Sequence, residues 1–481
     1  MGTLAIDNAE SHYWKARQHH WDREARNGDQ RPDWGGYYHE RLSRILAQLV
    51  PPGSRVLELG CGQGALLNAL KPYQGVGIDF SPEMIRRAQE RFPTLTFIEA
   101  DVHDLPELDP FEFVVLSDLI NDLWDVQTLF QALHRVTTCR SRVIINTYSR
   151  LWEFPLWLVR KVGLGRPVLF QNWLTLEDVA NMLYLADFEM IRTWDEILWP
   201  IRTPIIAPFM NRFLAKIWPF RWFDLTHFIV ARPNPKRETP RNKPRVSVIV
   251  PARNEAGNIE DIFRRLPEMD GGTELIFVEG HSTDDTYAVI EHAMKVHSQR
   301  HAKLFRQEGQ GKGDAVRLGF LHAEGAILMI LDADLSTPPE ELPRFCEILL
   351  SGKGEFANGV RLVYPMEGEA MRFLNLIGNK FFSLAFTWLL GQPVKDTLCG
   401  TKALWKRDYE RIAANRAFWG DFDPFGDFDL LFGAAKLSMK ICDVPVRYRE
   451  RTYGDTNIHR WSHGWLLLKM VLFATRKIKF V

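Results

Sequence analysis

The chain has 481 residues, more than the roughly 250–300 at which a single hydrophobic core stops growing, so two or three domains are expected. Its 46% hydrophobic and 25% charged residues are the balance of a folded globular protein and exclude extended disorder. Sixty basic residues cancel sixty acidic ones, which leaves no global field to draw the chain to nucleic acid and sets nucleic acid aside as a partner.

At the N-terminus, MGTLAIDNAESHYWKARQHH lacks the apolar core of a signal peptide. No uninterrupted apolar run approaches the roughly eighteen residues of a membrane span. The five cysteines lie far apart without a CxxC pair, which argues against zinc and disulfides and suits a reducing cytoplasm. A cytoplasmic location is expected, with peripheral contact at the inner face of the membrane as its extension.

Strand-like runs then follow at 56–59, 75–78, 96–98, 113–116 and 143–146, alternating with helix-like stretches such as SPEMIRRAQERF. That rhythm predicts a mostly parallel, doubly wound sheet. VLELGCGQG ends the first strand and enters a helix, so Gly60, Gly62 and Gly64 occupy a turn where a missing Cβ lets a ligand approach the backbone. Asp79, nineteen residues beyond Gly60 at the end of the next strand, is placed to accept hydrogen bonds from ribose hydroxyls. The glycines alone also satisfy the loose dinucleotide pattern, which keeps NAD open at this point.

ELGCGQG, GIDFSPEMI, EADVHDLP and FEFVVLSDLINDL together resemble the successive motifs of class I S-adenosylmethionine-dependent methyltransferases over residues 55–150. The resemblance implies that the glycine loop and Glu58 hold the methionine part, Asp79 the ribose and Asp101 the adenine. Methyl transfer by in-line displacement needs a base only for poorly acidic acceptors, and the motifs identify none. Asp118 and Asp122 stand near the acceptor end, either as acceptor contacts or as loop and cap residues. Cys61, between glycines, reads as an inert filler.

Residues 151–231 carry seven of the sixteen tryptophans, among prolines and arginines. The segment faces a membrane or packs as core; composition supports both. RPNPKRETPRNKPR, residues 232–245, has four prolines, six basic residues and one acid and reads as a linker. The expected domains are therefore 1–231, with its core at 40–150, and 246–481.

The second half restarts with VSVIVP and continues through ELIFVE, KLFRQ and AILMILD, separated by NIEDIFRRL, TYAVIEHAMKV and DAVRLGFLHA. A second α/β domain is expected, so the fold class is α/β with two doubly wound domains. Asp332 and Asp334 flank Ala333 where an apolar strand breaks into a turn, and two carboxylates so spaced can meet at one hard cation. Mg²⁺ or Mn²⁺ there would offset the charge on a departing nucleoside diphosphate.

PARNEAGNIEDIF, FVEGHSTDDTYAVI, GQGKGDAVRLGF and LDADLSTPPEEL stand in the order and spacing of family 2 glycosyltransferases of the GT-A fold, which this half resembles. The resemblance implies a UDP- or GDP-sugar donor bound by Pro251, Ala252, Arg253, Glu255 and Glu279, with metal on Asp332 and Asp334. Lys312 in the GKGDA turn either reaches phosphate or is a solvated loop lysine. Later segments, among them VKDTLCGTKALWKRD and PVRYRERTYGDTNI, resemble the dolichol-phosphate mannose synthase branch, which implies a polyprenyl-phosphate or glycolipid acceptor.

For that acceptor Arg361, Arg372 and Lys380 flank the apolar stretch FFSLAFTWLL as phosphate anchors. For a soluble hydroxyl acceptor, Asp429 and its neighbour Asp427 resemble the family's base, and a helix N-terminus attracts such acids for structural reasons too. The paired acids usual after the second strand read Glu279, Gly280 and His281 here, a departure that leaves base recognition open. WSHGWLLLKMVLFATRKIKFV reads as an interfacial helix or as a last core helix. The functional expectation is a bifunctional enzyme, with inverting glycosyl transfer to a lipid-linked or polysaccharide-precursor acceptor plus methyl transfer. The alternative pairs a soluble hydroxyl acceptor with a non-catalytic docking domain.

Overall fold

The computed structural model describes residues 2–27, 36–162, 169–235, 243–361, 363–364, 373–416, 426–449, 453 and 460–480. The chain divides into two compact units, Met1–Asn234 and Pro235–Lys479. Each is built on a seven-stranded sheet.

In the first unit β1 (Arg55–Leu59), β2 (Gln74–Asp79), β3 (Thr96–Glu99), β4 (Phe113–Ser117) and β5 (Arg142–Tyr148) pair in parallel, and β6 (Phe188–Glu196) and β7 (Thr226–Pro233) add antiparallel strands beyond β5. The order is β3-β2-β1-β4-β5-β7-β6. The central strands are apolar runs because helices cover both faces; Leu57, Val114 and Ile145 lie in one buried cluster and Val56, Val115 and Ile144 in the other. The helix Pro82–Arg91 starts where Ser81 accepts from the Met84 N–H at 3.2 Å with proline at its first position.

β6 and β7 lie within the aromatic-rich segment, and β7 runs on to Pro233. Arg232 is thus not linker: it is buried in the sheet and its Nε donates to Glu189 at 2.6 Å. Residues 236–242 of the expected linker lie outside the described residues.

The second unit orders its strands β10-β9-β8-β11-β13-β12-β14. β8 (Val246–Ala252), β9 (Thr273–Glu279), β10 (His301–Arg306) and β11 (Ile327–Ile330) are parallel, as the sequence periodicity predicts. β13 (Lys402–Trp405) runs antiparallel to β11 and to β12 (Phe356–Val360), which pairs with β14 (Ile441–Pro445) in parallel. The final helix, Arg460–Ala474, packs Met470 and Ala474 into the core and leaves Trp465 and Leu472 exposed. Among the described residues no helix is long and apolar enough to cross a membrane.

The helix Gly2–Asn27, which no motif foreshadows, lies across the first unit. It is held by Asp122, whose carboxylate accepts from Arg17 Nε at 3.1 Å and Trp21 Nε1 at 2.7 Å. That settles Asp122 as an anchor and separates it from Asp118. Asp122→Ala leaves the buried Arg17 without its charge partner and is expected to cost about 2–3 kcal/mol, read as a lowered midpoint in urea unfolding.

Candidate active sites

In both units the chain order reverses beside the first strand, between β1 and β4 and between β8 and β11. Such a reversal opens a crevice beyond the carboxyl ends of the strands, where α/β sheets bind ligands.

At the first crevice Gly60, Gly62 and Gly64 all have positive φ, at 71°, 50° and 76°, but their reasons differ. A Cβ on Gly60 would lie 2.8 Å from Leu119, and one on Gly64 would meet the Phe97 ring, so these two are required by packing. Gly62 faces open space and is the position where a ligand meets bare backbone. The Gly62 N–H donates to Asp79 Oδ2 at 2.9 Å and the Ser81 N–H to Oδ1 at 2.9 Å, which fixes the carboxylate beneath the loop.

Burial raises Asp79 to about 6, although those backbone N–H groups pull the other way. Glu58 is buried at the end of β1; burial pushes its carboxyl well above the usual range, and Oε2 has no hydrogen-bond partner. An orphaned buried acceptor beside an open glycine fits a ligand that brings donors. Asp101 accepts from the His103 backbone at 2.9 Å and ring Nδ1 at 2.7 Å; burial opposes ionisation, yet His103 holds the carboxyl below its usual value. Trp14 of the first helix packs edge-on against Phe80 and His103, next to Asp79 and Asp101, and so covers this end of the cleft.

Across the reversal, Asp118 directly follows β4 with φ 55°, a left-handed backbone that costs a non-glycine residue about 1 kcal/mol. Its Oδ1 accepts from Tyr38 OH at 2.9 Å and Asn146 Nδ2 at 2.6 Å, and Tyr148 also hydrogen-bonds it. Enclosure by these groups raises Asp118 to about 7 despite their hydrogen bonds. Asn146 is fully buried and its Oδ1 is unpartnered. Tyr38, Asn146 and Tyr148 belong to no motif and escape sequence reasoning; the one signal was an acid directly after a buried strand. The Cys61 thiol is buried and raised, consistent with a filler.

At the second crevice Lys312 Nζ lies 2.6 Å from Asp332 Oδ1. Burial works against ionising Asp332, but Lys312, with Lys402 and Arg361 farther off, holds it below the usual carboxylate range. Asp334 Oδ1 accepts from Ser336 N and Oγ at 3.0 and 2.7 Å. Asn254, His281 and Leu335, in the loops after β8, β9 and β11, all have positive φ between 55° and 60°.

A Cβ on Gly400 would collide with Lys312 Nζ and the Asp332 carboxylate, and one on Gly426 would meet Gly313. The structure therefore brings Lys312, Asp332, the segment before β13 and the start of the helix Asp427–Lys436 to one place. Gly400 lies within the VKDTLCGTKALWKRD segment, but the contacts of Gly400 and Gly426 are made across the fold, and no spacing along the chain announces them.

Other expected residues fall differently. Arg253 is exposed and Pro251 partly so, whereas Ala252 and Glu255 are buried. Glu255 Oε2 accepts from Asn258 Nδ2 at 2.7 Å. Glu279 is buried at the end of β9 and receives the Ser282 N–H. His281 Nε2 meets Gly309 O at 3.0 Å, as a loop residue does.

Arg361 is not a surface anchor: it is buried, and its Nε and Nη2 face Asp396 Oδ2 and Oδ1 at 2.7 and 2.8 Å. Lys380 is exposed beside exposed Phe381 and Leu384; Arg372 lies outside the described residues, as does the side chain of Asp427. Asp429 is buried and its Oδ2 accepts from Arg416 Nε at 2.9 Å. Glu274, His301 and Glu324 also converge, but at the opposite, amino end of the strands, where Lys303 already bridges the two glutamates.

Because Asp396 compensates a buried guanidinium in two directions, Asp396→Ala is expected to destabilise the chain by about 3–5 kcal/mol. Asp396→Ala with Arg361→Leu should recover part of that loss in the same thermal unfolding assay, which a purely local packing defect would not allow.

A family model of methyltransferase domains matches residues 51–196, and the glycosyl transferase family 2 model matches residues 247–413. The chain is 28% identical over 228 residues to a dolichyl-phosphate hexose transferase of Haloferax volcanii, covering 47% of this chain and 92% of that protein. It is 30% identical over 222 residues to a dolichol-phosphate mannosyltransferase of Pyrococcus furiosus, covering 44% of this chain and 59% of that one. A solved S-adenosylmethionine-dependent methyltransferase of Mesorhizobium loti aligns at 21% identity and TM-score 0.31, over 39% of this chain and 95% of the other. The protein joins a methyltransferase domain to a glycosyltransferase domain of family 2, similar to the polyprenyl-phosphate sugar transferases.

Proposed function

We propose that the protein is bifunctional: its second unit transfers a sugar, with inversion, from a UDP- or GDP-sugar to a polyprenyl-phosphate-like lipid, and its first unit methylates a product of the same pathway. The observation that carries the reading is the meeting of Lys312 with Asp332 at the crevice between β8 and β11, against Gly400. Two carboxylates spaced as Asp332 and Asp334 offer an all-oxygen cation seat, and the Lys312 ammonium is a phosphate contact beside it.

A divalent cation, Mg²⁺ or Mn²⁺, supplies charge neutralisation for the departing diphosphate, and Asp332 and Asp334 would hold it. Lys312 then turns from Asp332 to the donor phosphates as a mobile point charge. Pro251, Arg253 and Glu279 border the nucleotide. A lipid phosphate is already anionic and needs no base. The pairing of Asp429 with Arg416 suits that chemistry better than a soluble hydroxyl acceptor, because the carboxylate oxygen a hydroxyl would need already accepts from Arg416 Nε at 2.9 Å. Relatives named for transfer to dolichyl phosphate support the same acceptor class.

In the first unit S-adenosylmethionine supplies an electrophilic methyl group when bound. Gly62 offers its open backbone, Glu58 accepts from the amino acid end, and Asp79 and Asp101 take the ribose and adenine. Asp118 receives the proton of an acceptor hydroxyl, with Tyr38 and Asn146 holding the carboxylate in place. Its raised value matches such a base to neutral pH.

Two measurements test the two halves separately. Incubation with a panel of UDP- and GDP-sugars, Mg²⁺ or Mn²⁺ and polyprenyl phosphate should give metal-dependent turnover of one donor, reduced about a thousandfold or more in Asp332→Ala/Asp334→Ala. Calorimetric titration with S-adenosylmethionine should give an affinity that is level above about pH 7 and weakens as pH falls through about 6, because only ionised Asp79 accepts from both ribose hydroxyls. Asp79→Asn should bind weakly at every pH, and Asp118→Asn should bind as wild type. Absence of binding at millimolar cofactor would make the first unit a scaffold.

A further inference from the structure

Residues 217–223 read Ile-Trp-Pro-Phe-Arg-Trp-Phe, and all seven are exposed. Trp218, Trp222 and Phe223 keep 66%, 57% and 59% of their surface open. The helix Glu153–Lys161 buries none of its residues and leaves Phe154, Trp157 and Leu158 exposed. The two segments join: Trp152 Nε1 donates to Phe223 O at 2.9 Å, and the Ser149 N–H to Leu225 O at 2.7 Å. Contiguous aromatic surface on this scale marks an interface.

We infer that this face of the first unit docks on an anionic lipid surface, with Trp218, Phe220, Trp222 and Phe223, flanked by Phe154 and Trp157, entering the headgroup layer. Charge is the first reason. From 197 to 223 there is no acid and there are four cations. Lys216 turns inward to Glu196 and Arg202 meets Glu40, but Arg212 and Arg221 stand exposed with the aromatics, and so does Lys161 on the helix. Tryptophan and phenylalanine interleaved with arginine and lysine suit the boundary between anionic headgroups and acyl chains.

The backbone is the second reason. Entry into an apolar layer is costly unless N–H groups are satisfied internally. In this segment the Arg221 N–H bonds Ile217 O at 3.1 Å, Trp222 bonds Pro219 at 3.2 Å and Asp224 bonds Arg221 at 3.2 Å. Continuity is the third. Seven successive residues are exposed, an unbroken stretch that a fluid interface accepts without a complementary pocket, whereas a protein partner needs one.

The inference goes beyond the transfer reactions proposed above and holds whatever either site does. Its test uses the full chain and large unilamellar vesicles of phosphatidylcholine, with or without about 30 mol% phosphatidylglycerol. Wild type should co-sediment with the anionic vesicles at least tenfold more strongly than with neutral ones, and weaken in about 0.5 M salt. Trp218→Ser/Trp222→Ser and Lys161→Glu/Arg212→Glu/Arg221→Glu should each reduce pelleting at least tenfold while retaining the wild-type unfolding midpoint.

Equal pelleting of wild type and both variants overturns the inference. So does loss of pelleting in Phe381→Ser/Leu384→Ser but in neither of these variants, which would place docking on the second unit. Wild type that ignores vesicles, yet self-associates through these residues in sedimentation velocity, overturns it in favour of a protein interface.

Discussion

A parallel sheet whose chain order reverses beside its first strand sends consecutive connections to opposite faces, and the gap between them cannot be closed by the sheet itself. Both units are organised around that constraint. In the first, the loop after β1 and the residue after β4 face each other across the reversal, close enough that Gly60 can carry no side chain against Leu119. In the second, the loop after β8 faces the Asp332–Asp334 turn after β11. The rest of each unit holds these loop pairs in register.

Holding them costs backbone strain. Asp118, Asn254, His281 and Leu335 are non-glycine residues in left-handed conformations, all of them in loops at strand ends beside a crevice. At about 1 kcal/mol each, such residues persist only where surrounding packing over-determines them. The packing is there: β2, β1, β4 and β5 in the first unit and β9, β8 and β11 in the second are parallel and almost wholly buried, with hydrophobic clusters packed against them. Rigid strands make strained turns affordable, and strained turns aim carboxylates into the crevice rather than along the sheet. Electrostatics then divides the labour: enclosure without a cation raises Asp118 and Asp79, whereas Lys312 keeps Asp332 ionised and ready for a cation.

The parallel strands and the motif loops were legible in the sequence, because burial on both faces writes an apolar run that few other environments demand. Asp79 was legible for the converse reason, as a charge at the end of such a run, whereas Glu58 came through the resemblance of its motif. What sequence reasoning missed was made of contacts between distant segments. Tyr38, Asn146 and Tyr148 meet at Asp118 from a helix and from β5, and their spacing along the chain carries no period. Arg361 sits between charged segments and apolar ones, so it reads as a surface anchor; only its approach to Asp396 reveals a buried pair. Arg232 misled in the same way, since a proline- and arginine-rich stretch looks like a linker even where its first residues finish β7.

The aromatic segment marks the limit of composition as evidence. Trp194 and Trp218 stand in the same stretch, within similar company, and composition offers both a core and a membrane face. Trp194 stacks on Phe228 against the sheet, and Trp218 stands two-thirds exposed. The difference lies in neighbours: Trp194 on β6 packs against the buried cluster that holds Phe228, whereas the turn at Phe220–Phe223 buries none of its side chains and closes part of its own backbone through the Arg221 and Trp222 N–H groups. A segment that leaves its aromatic side chains exposed gains free energy when another apolar phase covers them. With no acid between 197 and 223, the phase that matches its charge is one with anionic headgroups. The lipid-linked acceptor proposed for the second unit and the lipid-facing surface inferred for the first thus rest on independent parts of the chain, the one on its likeness to dolichyl-phosphate sugar transferases and the other on exposed tryptophan.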